Sequence, residues 1–177
     1  MDKHKKRNFL FISCLISSYF SIATAFASGS EFSHKYLTLD LPEGWSTGQV
    51  PEGSEKQTIG VLKSSSIKAS SITLDCYRGA LHTHASTRIR GLNTISATYP
   101  AGQEQLKKPY KIKTQGGKGK AELWRGYIKI GNQTVALQTP MAAIKTKHCW
   151  LVALGFTPDS SGEAMEKDFL TIMKSAR

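Results

Sequence analysis

The chain has 177 residues, with 24 lysines and arginines against 13 acids and a formal net charge of +11. That length is one domain's worth. The charge speaks to association with anionic lipids, polyanions or an acidic partner, and not to fold or activity.

Residues 1–27 read as a cleaved signal peptide. Lys3, Lys5, Lys6 and Arg7 form its positive start, Phe9–Ala23 its apolar stretch, and Ala25-Phe26-Ala27 an A-x-A cleavage site before Ser28. A retained anchor fits less well, because several serines interrupt a stretch that would need about 20 predominantly apolar residues. Cys14 stands too close to Asn8 for a lipid-modified start. The expected product is an exported soluble protein, periplasmic or secreted, with residues 28–177 as a single domain. At that size roughly 68–70% of the unfolded surface is buried, enough for a core without staples. Removing the leader takes away four basic residues and Asp2, which leaves a net charge of +8.

Cleavage leaves two cysteines, Cys76 and Cys149, in an oxidising compartment. A bridge between them would close a loop of 73 residues, worth roughly 4 kcal/mol in the chain-entropy model. Buried free thiols are the other reading, and spacing alone does not choose between them.

Along the mature chain, Ser28–Ser33 is polar and expected to be loose. Tyr36–Leu41 alternates as a strand, and Pro42-Glu43-Gly44 ends it. Trp45 is placed to plug one end of a core. Residues 46–56, rich in Gly, Pro, Ser and Glu, read as an exposed loop. Gln57–Leu62 and Ser71–Tyr77 follow as strands. Leu81, Ala85, Ile89, Leu92, Ile95 and Tyr99 recur at helical spacing and predict a helix over about 83–98. Gly91 inside it costs about 1 kcal/mol against Ala.

Tyr110–Thr114 reads as a short strand and Gly116–Gly119 as its turn. Matching Tyr110 and Ile112 to Trp124 and Ile128 calls for an odd number of loop residues. From 121 to 130, Trp124, Gly126, Ile128 and Ile130 lie on one side and Arg125, Tyr127 and Lys129 on the other. Gly131-Asn132 suits a type II′ turn, which sets Ile128 opposite Val135 and Gly126 opposite Leu137. Cys149–Phe156 is apolar on both alternating sets, the mark of a central strand covered on both faces. Ser160 with Glu163 forms a capping-box pattern ahead of an apolar stripe of Met165, Phe169, Ile172 and Met173.

The order is three strands, a helix, four strands and a helix. It predicts an α+β fold with a mostly antiparallel sheet of about seven strands flanked by two helices. The opening YLTLDLPEGW of Tyr36–Trp45, the late hairpins, the CWLVALGF strand and the closing helix ending IMKSAR resemble the PsbP-like superfamily. That fold is shared by an extrinsic photosystem II subunit, a Ran-binding nuclear-transport factor and bacterial exported DcrB-like proteins. The resemblance implies an α/β/α sandwich and a non-catalytic binding or assembly role. It carries no functional residues over.

Catalytic and metal motifs are missing. His82 and His84 have no Cys or carboxylate near them in sequence, where zinc calls for three or four ligands. His148 and Cys149 are neighbours and point to opposite sides of a strand. Gly116-Gly117-Lys118-Gly119-Lys120 lacks Walker spacing and opens a strand instead of a helix. No catalytic residue, metal or cofactor is expected, and a hydrolase assembled from dispersed residues is a distant alternative.

The one charge pattern with content lies between Gln105 and Ala121, where no acid occurs. Lys107, Lys108, Lys111, Lys113, Lys118 and Lys120 fall there, and Arg125 and Lys129 follow on the next strand. Lys111, Lys113, Arg125 and Lys129 are expected to share one face or edge. They serve either to protect an edge strand or to bind. The functional expectation is an exported non-enzymatic module that docks an envelope protein partner, an acidic one, through this basic hairpin. Binding of anionic small molecules or of polyanionic envelope polymers is the alternative. Nucleic acid does not fit an exported chain, nor is membrane insertion expected once the leader is gone.

Overall fold

The computed structural model describes residues 30–54, 57–79 and 81–177, and the expected leader lies outside the described residues. The chain opens with β1 (Glu31–His34) and β2 (Leu37–Asp40), paired as a small hairpin. Then come β3 (Trp45–Gly48), β4 (Thr58–Ser64), β5 (Ser71–Tyr77) and helix α1 (His84–Thr98). Four long strands follow: β6 (Gln103–Lys113), β7 (Lys118–Ile130), β8 (Gln133–Lys145) and β9 (Trp150–Pro158). A 3-10 turn at Asp159–Ser161 leads into helix α2 (Gly162–Lys174).

Seven strands form one antiparallel sheet in the order β3-β4-β5-β9-β8-β7-β6. β9 sits at its centre, as its two apolar sides require. Leu151 and Ala153 face a core built from the β1–β2 hairpin and Phe169, Ile172 and Met173 of α2. Val152 and Leu154 face the opposite core, with Ile95 and Tyr99 of α1. The result is a helix, sheet and helix in three layers, the α+β architecture expected. Trp45 is buried at 3% exposure and its indole Nε1 donates to Asp168 Oδ2 at 2.8 Å, tying β3 to α2.

The β7–β8 hairpin has the expected register, with Gly126 opposite Leu137 and Ile128 opposite Val135. Gly131 takes φ +60° and Asn132 stays at negative φ, the II′ pattern. Cys76 and Cys149 lie at disulfide distance, with Cα atoms 5.7 Å apart.

Several expectations are corrected. Residues 31–34 and 45–48 are strands rather than loop, each four residues long and held by its partner instead of by any period of its own. β6 starts at Gln103, seven residues before Tyr110, because an exposed edge strand needs no apolar alternation. Its turn holds four residues, since Lys113 pairs with Lys118, so Tyr110 and Ile112 oppose Ala121 and Gly119. These two apolar residues join the α2-side core instead of the Trp124 side.

The α1 stripe holds in its second half, where Ile95 and Tyr99 are buried and Leu92 packs against them, and fails in its first. Thr87, Gly91 and Ile95 are buried, whereas Leu81 and Ile89 are 93% and 54% exposed. Gly91 is what lets the helix settle so low, because a Cβ there would meet Met141 Sδ. The Ser160–Glu163 box does not form. Asp159 is held by Arg125 and Gln138, and the helix begins only at Gly162 with Ser161 as an N-cap without a side-chain bond. The capping box is on α1 instead, where Thr83 and Ser86 bond each other's backbone N–H.

Candidate anion-binding site

Cross-strand pairing lines up basic and aromatic side chains in rows on the α1 face of the sheet. Lys113 pairs with Lys118, Lys118 with Lys145, Lys145 with Trp150, and Trp150 with Tyr77, so one row crosses five strands. Two residues further in, Lys111 pairs with Lys120 and Lys120 with Ala143. Three lysine pairs are therefore directly opposed, in strands about 4.8 Å apart. Like charges so placed repel. Edge protection accounts for Lys111 and Lys113 on β6, but β7 and β8 lie inside the sheet.

Among the described residues, none of Lys111, Lys113, Lys118, Lys120, Lys145 and Lys147 makes an ion pair. Between Cys76 and Pro158 the sequence holds only two acids, Glu104 and Glu122. Both are engaged elsewhere. Glu122, 3% exposed, takes two 2.7 Å bonds from the Arg88 guanidinium and a third from Gln105 Nε2. Glu104 accepts from Tyr127 Oη at 2.8 Å and from Arg125 at 3.1 Å, and these bonds hold its carboxyl below the usual range.

His84, Lys111, Lys118, Lys120, Lys145 and Trp150 line a cleft of about 360 Å³. A neighbouring hollow of about 540 Å³ shares Lys118 and Lys145 and adds Lys113 and Lys147. Lys145 Nζ stands 5.7 Å from the centre of the Trp150 ring, and the His84 ring meets that indole edge-on at 6.2 Å. Burial, and then the charge of Lys120, pushes the His84 pKa down.

The two loops at this end of the sheet are pinned. Gln115 N–H donates to Lys174 O and Gly116 N–H to Ala176 O, so the 114–117 turn rests on the chain's C-terminal segment. A Cβ at Gly116 would meet the Arg177 backbone and one at Gly117 the Lys145 carbonyl oxygen, so both positions need glycine for close approach. In the 146–149 turn, Thr146 Oγ1 donates to Cys149 O at 2.9 Å and accepts from Cys149 N–H at 3.1 Å. Cys149 is in turn joined to Cys76 on β5. The lysines are thus presented on strands whose ends are fixed, a preorganised arrangement.

The structure does not bring the four expected residues together. Lys111 and Lys113 belong to the rows just described. Arg125 and Lys129 are of opposite parity on β7 and lie on the α2 face. Arg125 is already bound by Asp159 at 2.8 Å and Glu104 at 3.1 Å. The cause is the four-residue turn, which flips β6 by one position relative to the odd-loop expectation. Lys118 and Lys120 take their places, with Lys145, Lys147, Trp150 and His84 added from segments that no local pattern links.

No family model matches the chain, and no curated protein does. Solved structures do. The cyanobacterial PsbP (CyanoP) of Synechocystis sp. PCC 6803 superposes with a TM-score of 0.61 at 11% identity, over 89% of this chain and 96% of that one. The chain has a PsbP-like fold. The Ran-binding protein Mog1p of Saccharomyces cerevisiae gives 0.59 at 12%, over 84% and 94%. LpqN of Mycobacterium tuberculosis, involved in cell envelope biogenesis, gives 0.51 at 13%, over 84% and 83%. At these identities the PsbP-like likeness is one of fold and assigns no residue a role.

Proposed function

We propose that this PsbP-like chain is an exported, non-catalytic binding module that docks an acidic partner of the cell envelope through the lysine-rich end of its sheet. The observation that carries the reading is the set of directly opposed lysine pairs 113–118, 118–145 and 111–120. Holding like charges face to face on interior strands costs stability, and a negatively charged ligand offsets that cost. The pinned loops favour a surface held ready over one that remodels on contact. A cystine pair supports an oxidising location. Two structural neighbours, one Ran-binding by name and one involved in envelope biogenesis, are in keeping with a binding role.

Poly-glutamate serves as a defined acidic probe. The triple variant Lys118→Ser, Lys120→Ser, Lys145→Ser is expected to weaken its binding at least about tenfold at low salt, with a shallower salt dependence. Lys129→Ser, on the opposite face, is the matched control and should leave binding unchanged. Equal effects of the two variants, or none from the triple, would show that the lysine rows are not the docking surface.

A further inference from the structure

The basic end continues beyond the lysine rows and carries an apolar feature that the rows do not explain. The His82 ring lies 5.8 Å from Tyr77, and His84 packs on Trp150, so the segment leading into α1 sits beside the Lys145–Trp150–Tyr77 row. Arg78 Nη1 donates to Tyr36 Oη at 2.7 Å, which brings the β1–β2 turn and Lys35 to the same end. On this segment Leu81 is 93% exposed. On α1 itself Ala85 and Ile89, four residues apart, are both exposed on one side of the helix. Leu81 thus projects from the segment that flanks the Lys145–Trp150–Tyr77 row. The carboxylate near that row is Asp75 on β5, which accepts from Thr58 Oγ1 at 2.7 Å.

A protein partner would be met by a packed aromatic anchor at the centre of such a surface. Here Tyr77 and Tyr36 are capped by cations, Arg90 Cζ standing 4.6 Å from the one ring centre and Lys35 and Arg78 each 4.8 Å from the other, while Trp150 forms part of the cleft wall beside Lys145. What protrudes is a spread of ammonium groups and one aliphatic chain. Lysine is a compact, hydrated point charge without fixed bidentate geometry. A fluid array of anions suits it better than a rigid carboxylate constellation.

Resting on the reading of the basic end as the docking surface, we propose that its partner is an anionic phospholipid membrane. The lysines meet phosphate headgroups and Leu81 enters the interfacial layer. Juxtaposed basic residues each add attraction to an anionic leaflet, and insertion of an apolar side chain adds a term that salt does not screen. Among the described residues no helix is long and apolar enough to cross a membrane.

Sedimentation of the exported protein with vesicles tests this. The probes are an equimolar phosphatidylcholine–phosphatidylglycerol mixture and phosphatidylcholine alone, with poly-glutamate as a parallel soluble ligand. Binding is expected only to the anionic vesicles. Leu81→Ser should weaken it about tenfold while leaving poly-glutamate binding and the melting temperature unchanged, since the side chain is exposed. The lysine triple variant should lose both ligands. Vesicle binding that is absent, or indifferent to Leu81→Ser, while poly-glutamate still binds, overturns the membrane proposal and leaves an acidic protein as the partner. Failure of both ligands overturns the basic-end reading itself.

Discussion

Lys118 on β7 stands directly opposite Lys145 on β8, and both strands lie inside the sheet. Each side chain is exposed, so water moderates their repulsion without cancelling it. A fold selected for stability alone would place a β-branched or oppositely charged residue at one of the two positions.

Lys145→Thr is therefore expected to raise stability by about 0.2–1 kcal/mol at low salt. The gain should shrink as salt rises and screens the pair. The same substitution should weaken poly-glutamate binding. Denaturant titration at two ionic strengths checks the first effect and anisotropy the second. A variant less stable than the parent at low salt would mean that the pair is not repulsive.

The cystine has a similar double role. It closes a loop of 73 residues and anchors the turn that precedes Trp150. Reduction, or Cys76→Ser with Cys149→Ser, is expected to cost about 2–4 kcal/mol. It should also lower affinity for the acidic probe, because the 146–149 turn loses its tether. Alkylation of freshly exported protein followed by mass spectrometry must find no free thiol at either position. Two labelled cysteines would refute the bridge.

Which of these features the sequence revealed follows from how far each signal reaches. β9 and the β7–β8 hairpin were legible because apolar alternation and a Gly-Asn turn are local and agree with each other. β6 was not, because Gln103–Lys108 has no apolar period and its register depends on counting residues in a glycine-rich turn. There an error of one residue moves every side chain to the other face. An odd-numbered loop would set Lys111 and Lys113 with Arg125 and Lys129, whereas the four-residue turn sets them with Lys118, Lys120 and Lys145. The α1 stripe misled for another reason. Its spacing was helical, but the buried side is chosen by the groove that Gly91 can enter, and the apolar residues Leu81 and Ile89 face out.

Gly91 offers a direct check on that packing. In an isolated helix, Gly→Ala should stabilise by about 1 kcal/mol. Here the added methyl meets Met141 Sδ and lies 3.2 Å from Val152 Cγ1. Gly91→Ala is expected to destabilise by about 1–3 kcal/mol, since overpacking a filled core forces side chains off their rotamers. Adding Met141→Val should recover part of the loss by clearing the sulfur. Urea midpoints of the two single variants and the double variant test this. A more stable Gly91→Ala protein would show that α1 does not sit as low on β8 as its geometry implies.

His84 makes stability depend on pH in a predictable direction. Its folded pKa lies below the ordinary 6.5, first through burial and then through Lys120 and Arg88, with Glu122 and a contact to the Ala143 backbone pulling the other way. The unfolded chain therefore takes up the proton first as pH falls. Stability from this group is complete above about 6.5 and declines as pH drops below that value towards the folded pKa. His34 is shifted the same way by burial and by Lys35, so two groups contribute in one window. Asp159 and Glu104, both lowered, add a separate loss only at the acidic end of the carboxylate range. Denaturation midpoints between about pH 8 and 5 should thus fall on acidification, with a shallower slope in His84→Gln and a smaller change in Lys120→Ser, because burial outweighs the lysine. An anion seated by Lys120 weakens one of the forces holding His84 neutral, so binding below neutrality should take up protons. Calorimetry in buffers of different ionisation enthalpy reads that uptake. A slope identical in parent and His84→Gln would mean that His84 titrates as a free imidazole and does not pack against Trp150 as described.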